Sequence, residues 1–207
     1  MKAGTWAGLV AGAAPVAVAG RLVERPGQRG GVALLTGGSR GLGLLVAREL
    51  AARGYRVAVC ARDAAELAEA ESDLTARGAE VFAVRCDVAD RDQVEQMVRS
   101  VIDRFGSLDV LVNNAGIIQV APLAAMTLDD FVDAHAVMFS GTLYPTLAAL
   151  PHLLQRGRGR IINITSIGGK ISGPHLLPYN CAKSPPSGSP KGWGSPVTAR
   201  EGCGADA

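Results

Sequence analysis

Net charge of one sign is nearly missing from this chain: 21 Lys and Arg stand against 19 Asp and Glu, leaving +2. A balance this even, dispersed along the chain, excludes the basic stripe by which proteins hold nucleic acid. Sulfur and imidazole are scarce as well, with four cysteines and three histidines. Cys60, Cys86, Cys181 and Cys203 form no CxxC pair and meet no histidine at ligand spacing, so no metal site is expected. They read as reduced thiols of a cytoplasmic protein. No internal repeat is evident. A chain of 207 residues suits one domain with a real core rather than two.

Long hydrophobic runs are absent except at the start. Ala3 to Gly20 is an uncharged run of 18 residues, with Lys2 before it and Arg21, Glu24, Arg25 and Arg29 after it. It is barely long enough to span a bilayer, and Pro15 interrupts it. The flanking charge favours an anchor on the inner face of a membrane, with the rest of the chain inside the cell. Gly4, Gly8 and Gly12 lie four apart, which would smooth one face for helix pairing. A floppy leader or a mistaken start site is the plain alternative. Residues 1–29 are therefore expected to be an apolar leader or a membrane anchor.

From residue 30 onward the pattern alternates. The β-rich runs "VALLT", "RVAVC", "EVFAVRC", "DVLVNN" and "RIINITS" are separated by amphipathic stretches at Leu42–Arg53, Ala64–Arg77, Asp90–Phe105 and Leu128–Gln155. This alternation predicts an α/β fold, a doubly wound parallel sheet with helices on both faces, over residues 30–183. After Lys183 the composition changes. Of the 24 residues 184–207, 13 are Pro, Gly or Ser, with no periodic apolar face. That is the composition of a disordered tail.

"TGGSRGLG", residues 36 to 43, joins the first strand to the first helix. Gly37, Gly41 and Gly43 permit a tight turn and close approach to a pyrophosphate, and the helix N-terminus supplies free N–H groups. With Thr36, Ser39, Arg40 and Leu42 they are the candidates to line a dinucleotide. An NAD site wants a carboxylate at the end of the second strand. That strand instead ends at Cys60, followed by Ala61 and Arg62. Arg62 and Arg40 would pair with a 2′-phosphate, which favours NADP over NAD. Asp63 weakens the contrast, and both arginines could be plain surface residues.

The TGxxxGxG spacing, "CDV" at 86–88, "NNAG" at 113–116, Ser166, and "YNCAK" at 179–183 occur in order. Together they make the chain resemble the short-chain dehydrogenase/reductase family from about residue 30 to 183. The resemblance implies a Rossmann-like sheet in the order 3-2-1-4-5, here without the family's final strands. It implies that Asp87 and Val88 hold the adenine, and that Asn113, Ala115 and Gly116 line the ribose and nicotinamide side. It implies hydride transfer between NADP(H) and a carbonyl or alcohol carbon of a small molecule, with Ser166, Tyr179 and Lys183 as catalytic residues. A tyrosine hydroxyl moves a proton near neutral pH only with help, and Lys183, one turn along, supplies a positive charge. Ser166 would hydrogen-bond the substrate oxygen. The resemblance also implies homo-oligomers, but through helix faces that come after the Tyr–Lys motif, so this chain is not expected to form them as the family does.

Two departures bear on activity. The family often carries an Asn in the long helix before the fifth strand, and aligning on Gly141 puts Met138 there, where a thioether makes a poor hydrogen bond. Pro185 and Pro186 forbid the helix begun at Tyr179, so one turn or so is expected, with Lys183 held loosely. One base added after the Lys183 codon re-reads the segment to Gly194 as KFAAVGFSEGLG, similar to the family's next helix. The third bases are free choices; the first two mostly are not. A lost base is the favoured origin of the tail, and a true Pro-rich linker the alternative. The chain is thus expected to be a reductase by descent with little turnover. The rivals are a non-catalytic nucleotide-binding remnant and a membrane-tethered interaction protein.

Overall fold

The computed structural model describes residues 30–171 and 173–183; the run Ala3–Gly20 and the segment 184–207 lie outside them. Five of the apolar runs form parallel strands: β1 (Val32–Thr36), β2 (Arg56–Ala61), β3 (Val81–Arg85), β4 (Val110–Asn113) and β5 (Arg160–Asn163). They stand in the order β3-β2-β1-β4-β5, the order the resemblance implied. β1 is the central strand, and its Leu34 sits opposite Ala58 of β2 and Leu111 of β4.

β1 reads as continuous apolar sequence because both of its faces are covered. Val32 and Leu34 pack on one side, Ala33 and Leu35 on the other, and all four are fully buried. Helices α1 (Gly41–Ala52) and α2 (Ala64–Ala76) close the second side through Ala47, Leu50, Leu67 and Leu74. Helices α3 (Arg91–Phe105), α4 (Leu128–His135) and α5 (Gly141–Gln155) close the first through Val94, Met97, Val101, Ala134, Ala149 and Leu153. The last described helix, α6 (Leu177–Lys183), comes after β5 and packs against α4. None of the helices among the described residues is long and apolar enough to cross a membrane.

The amphipathic stretch Leu128–Gln155 is not one helix. A π turn at Ala136–Ser140 separates α4 from α5. Pro145 has no N–H to give the Gly141 carbonyl, and the Thr142 and Thr146 hydroxyls donate to the carbonyls of Met138 and Thr142, at 2.9 and 2.7 Å. Period alone gave no sign of this break, because the extra residue of a π turn only shifts the apolar face. The register after the break seats Gly141 against the loop that leaves β3. A Cβ on Gly141 would stand 2.6 Å from Val88 Cγ2, so no larger residue fits there.

At the amino ends of the strands, polar groups hold the layers together. Asp109 accepts from the Val32 amide at 2.9 Å and pairs with Arg156 at 3.3 Å. His152 on α5 accepts from the Leu108 amide through Nε2, at 3.1 Å. Burial, reinforced by the nearby Arg156 charge, holds the His152 pKa below the ordinary imidazole value.

Candidate active site

The carboxyl ends of β1, β4 and β5 converge on one rim, the usual ligand side of such a sheet. Thr36 ends β1, and its Oγ1 accepts from the amides of Asn114 and Ala115, each at 3.1 Å. The Asn114 amide group donates back to the carbonyls of Thr36 and Gly37, at 3.1 and 2.9 Å. The glycine loop is thereby stapled to the end of β4. Gly37 has φ +64°, and a Cβ there would stand 2.9 Å from Ala115 Cα. A Cβ on Gly43 would collide with the Gly37 carbonyl. Gly41, at φ +55°, faces open space.

This loop fits a dinucleotide phosphate by one further observation. Helices α2 and α3 are capped by Asp63 and Asp90, whose carboxylates accept from their first N–H groups. Helix α1 has Arg40 at its N-cap, with no side-chain cap and no acid in its first turn. Its first N–H groups and positive dipole end are left for an anion. Leu42 is exposed beside them, whereas Ser39 is buried.

The rim beyond the carboxyl ends of β2 and β3 is charged. Arg40 pairs with Glu66 of α2 at 3.4 Å, and Ser39 Oγ donates to the other oxygen of Glu66 at 3.2 Å. Arg62 lies 3.8 Å from Asp87. The Asp63 carboxylate accepts from the amides of Ala65 and Glu66, at 2.9 Å each. Val88 is buried against Gly141. Cys60 and Cys86, both buried free thiols, lie under this rim, and the hydrogen bond that the Cys60 thiol gives to the Cys86 sulfur, together with burial, pushes the Cys60 pKa well up.

The catalytic candidates gather after β5. Ser166 opens a short 3-10 turn, Ile167–Gly169, and its Oγ accepts from the Gly168 amide at 3.1 Å. A Cβ on Gly168 would stand 3.0 Å from Tyr179 Cε1 and 3.4 Å from Ser166 Oγ. Ser166 and Tyr179, with Asn180 Oδ1 nearest at 2.9 Å, therefore close on one point that only glycine leaves open. Lys183 Nζ donates to the Ile164 carbonyl at 3.0 Å, and burial lowers its pKa below the ordinary lysine value. Lys183 is thus seated, not loose as the broken helix had suggested. Helix α6 starts at Leu177 with Pro178 in its first turn, where a missing N–H costs nothing, and Lys183 is the last described residue.

Side-chain alternation places Asn113, and the π turn places Met138. Asn113 shares the α5 side of β4 with Leu111; it is 3% exposed and donates to Thr146 Oγ1 and Asn163 Oδ1, at 3.0 and 2.8 Å. Met138, in the π turn, is 3% exposed, with its Sδ 3.9 Å from where a Cβ of Gly116 would stand. Sequence reasoning passed over Asn114, Glu66, Gly168 and the Ile164 carbonyl. Alternation along "DVLVNN" would have separated Asn114 from Asn113. The other three carry no local signal, since their roles depend on contacts between elements.

Residues 31–188 match the family model described as short chain dehydrogenase, more than half of the chain. The chain belongs to the short-chain dehydrogenase family. Its relatives include the 3-oxoacyl-[acyl-carrier-protein] reductase of Synechocystis sp., 39% identical over 154 residues, 74% of this chain and 62% of that protein. Among solved structures, an actinorhodin polyketide ketoreductase with NADPH matches at TM-score 0.72 and 38% identity, over 74% of this chain and 60% of that one. A short-chain dehydrogenase/reductase from Burkholderia phymatum, in complex with NAD, matches at TM-score 0.72 and 30% identity, over 75% and 56%. This short-chain dehydrogenase thus spans about three fifths of the length of the relatives it matches.

Proposed function

We propose that the site carries out NADP(H)-dependent reduction of a carbonyl, or oxidation of the matching alcohol. The convergence of Ser166 and Tyr179 on Gly168, with Lys183 seated behind them, is the observation that carries this reading. When bound, the nicotinamide supplies or takes up the hydride. Ser166 Oγ donates to the substrate oxygen and Tyr179 exchanges its hydroxyl proton with it. Lys183 holds positive charge one turn from the phenol, and its lowered pKa makes it a readier proton donor than a solvated lysine. The uncapped start of α1 and the loop Gly37–Gly43 would hold the pyrophosphate, and Asp87 and Val88 the adenine. Arg40 and Arg62 support NADP over NAD, and the neighbour of higher identity was solved with NADPH.

For substrate we favour a 3-oxoacyl group, the class named for the Synechocystis relative. The test is NADPH consumption by the purified chain with a 3-oxoacyl thioester and a panel of simple ketones and aldehydes. Turnover that falls by about 100-fold or more in Tyr179→Phe, with NADPH affinity unchanged, supports the reading. Binding of NADPH without turnover on any carbonyl would leave a nucleotide-binding remnant instead.

A further inference from the structure

We infer that Glu66 sets how strongly this chain discriminates between NADP(H) and NAD(H), by competing for Arg40. The inference rests on the proposed NADP(H) dependence and deepens it. Three carboxylates lie at the adenosine end. Asp63 is committed to capping α2, and Asp87 lies beside Arg62. Glu66 alone of the three reaches the glycine loop, with one oxygen on Arg40 and the other on Ser39. Both of its contacts are to residues of the cofactor-binding loop rather than to the helix that carries it.

The two cofactors differ only at the 2′ position, and Arg40 meets them differently. A 2′-phosphate must draw the guanidinium from Glu66 before it gains a full ion pair. A 2′-hydroxyl needs no such exchange and is itself a donor that a nearby carboxylate accepts. Glu66 thus penalises the phosphorylated cofactor and imposes no such penalty on the other, which is discrimination by weakening one competitor. Arg40 is 81% exposed and Glu66 37%, so solvent weakens their pair and the effect is a matter of several-fold. Glu66 is a positioning residue here, acting through Arg40.

The experiment is cofactor titration of the wild-type chain, Glu66→Gln, Arg40→Ala and the double variant, with NADPH and NADH in parallel. Glu66→Gln removes the charge and keeps an acceptor for Ser39. It is expected to lower the Kd for NADPH by about three- to ten-fold, leave NADH unchanged or weaker, and lose most of its gain at high salt. The gain should vanish in the Arg40→Ala background. An unchanged or raised NADPH Kd, an equal change for both cofactors, or a gain that persists without Arg40 would each overturn the inference. If Glu66→Gln unfolds the chain, the wild-type and Arg40→Ala affinities for NADPH still decide. A loss of about ten-fold or more shows Arg40 already given wholly to the phosphate, and a loss under about two-fold shows that Arg40 does not meet it; either overturns the inference, and a loss between them upholds it. The NADP reading fails separately, if the wild type prefers NADH and Arg62→Ala leaves NADPH untouched. A shift of the ratio toward NADPH in Glu66→Gln would then still uphold the role of Glu66.

Discussion

Removing the Arg62 guanidinium takes away a cation that a 2′-phosphate can use and a 2′-hydroxyl cannot. Arg62→Ala is therefore expected to weaken NADPH binding about ten-fold, from one charge-assisted contact at an exposed position, and to leave NADH within two-fold or so. Parallel fluorescence titrations check it, and equal losses for both cofactors would count against the assignment. Asn114 acts without touching the reaction. Its side chain makes two hydrogen bonds that hold the glycine loop on β4. Asn114→Ala strands two carbonyls and should cost about 1–3 kcal/mol in urea unfolding, while weakening both cofactors alike. The residues that make the motifs were legible in the sequence, because glycine loops and a Tyr–Lys pair carry their chemistry in local spacing. Asn114 and Glu66 were not legible, because each works across a gap between elements that are distant in the chain.

Helix α5 is fastened at its far end by a histidine that must stay neutral at Nε2 to accept the Leu108 amide. The folded state holds the His152 pKa below its ordinary value, so protonation favours the unfolded chain. The bond's contribution is whole above the unfolded imidazole value, about 6.5, and fades as pH falls through the depressed folded one. Urea midpoints of the wild type should therefore drop between about pH 7 and pH 5, and His152→Gln should flatten part of that drop. A slope identical in the two proteins would remove His152 from the account. Most elements were legible to within a residue or two from apolar period, although β5 stops at Asn163, three residues short of the run RIINITS; the caps Asp63 and Asp90 were not read from the sequence. Nor was the π turn. A helix that gains one residue in a turn keeps its amphipathic look, and only the contact of Gly141 with Val88 reveals why the register changes.

The molecule as a whole is a sheet covered on both faces, and its deepest burial lies along β1, β2 and β4. Leu111 is fully buried beneath α5, so Leu111→Ala should cost about 2–5 kcal/mol. Leu45→Ala, on the 55% exposed face of α1, should cost little, and urea unfolding of the two variants measures the contrast. Strand order was legible through the family resemblance that the motifs carry; the alternation of strands and helices by itself gave only a parallel sheet. The length of the central strand has a consequence of its own. Five residues of β1 separate the Asp109–Arg156 rim from the Arg40–Arg62 rim by about 16 Å of backbone. At physiological ionic strength charges screen one another over about 8 Å. The two ends of the molecule are therefore separate electrical compartments: nucleotide selectivity can be retuned at one without disturbing the fold at the other.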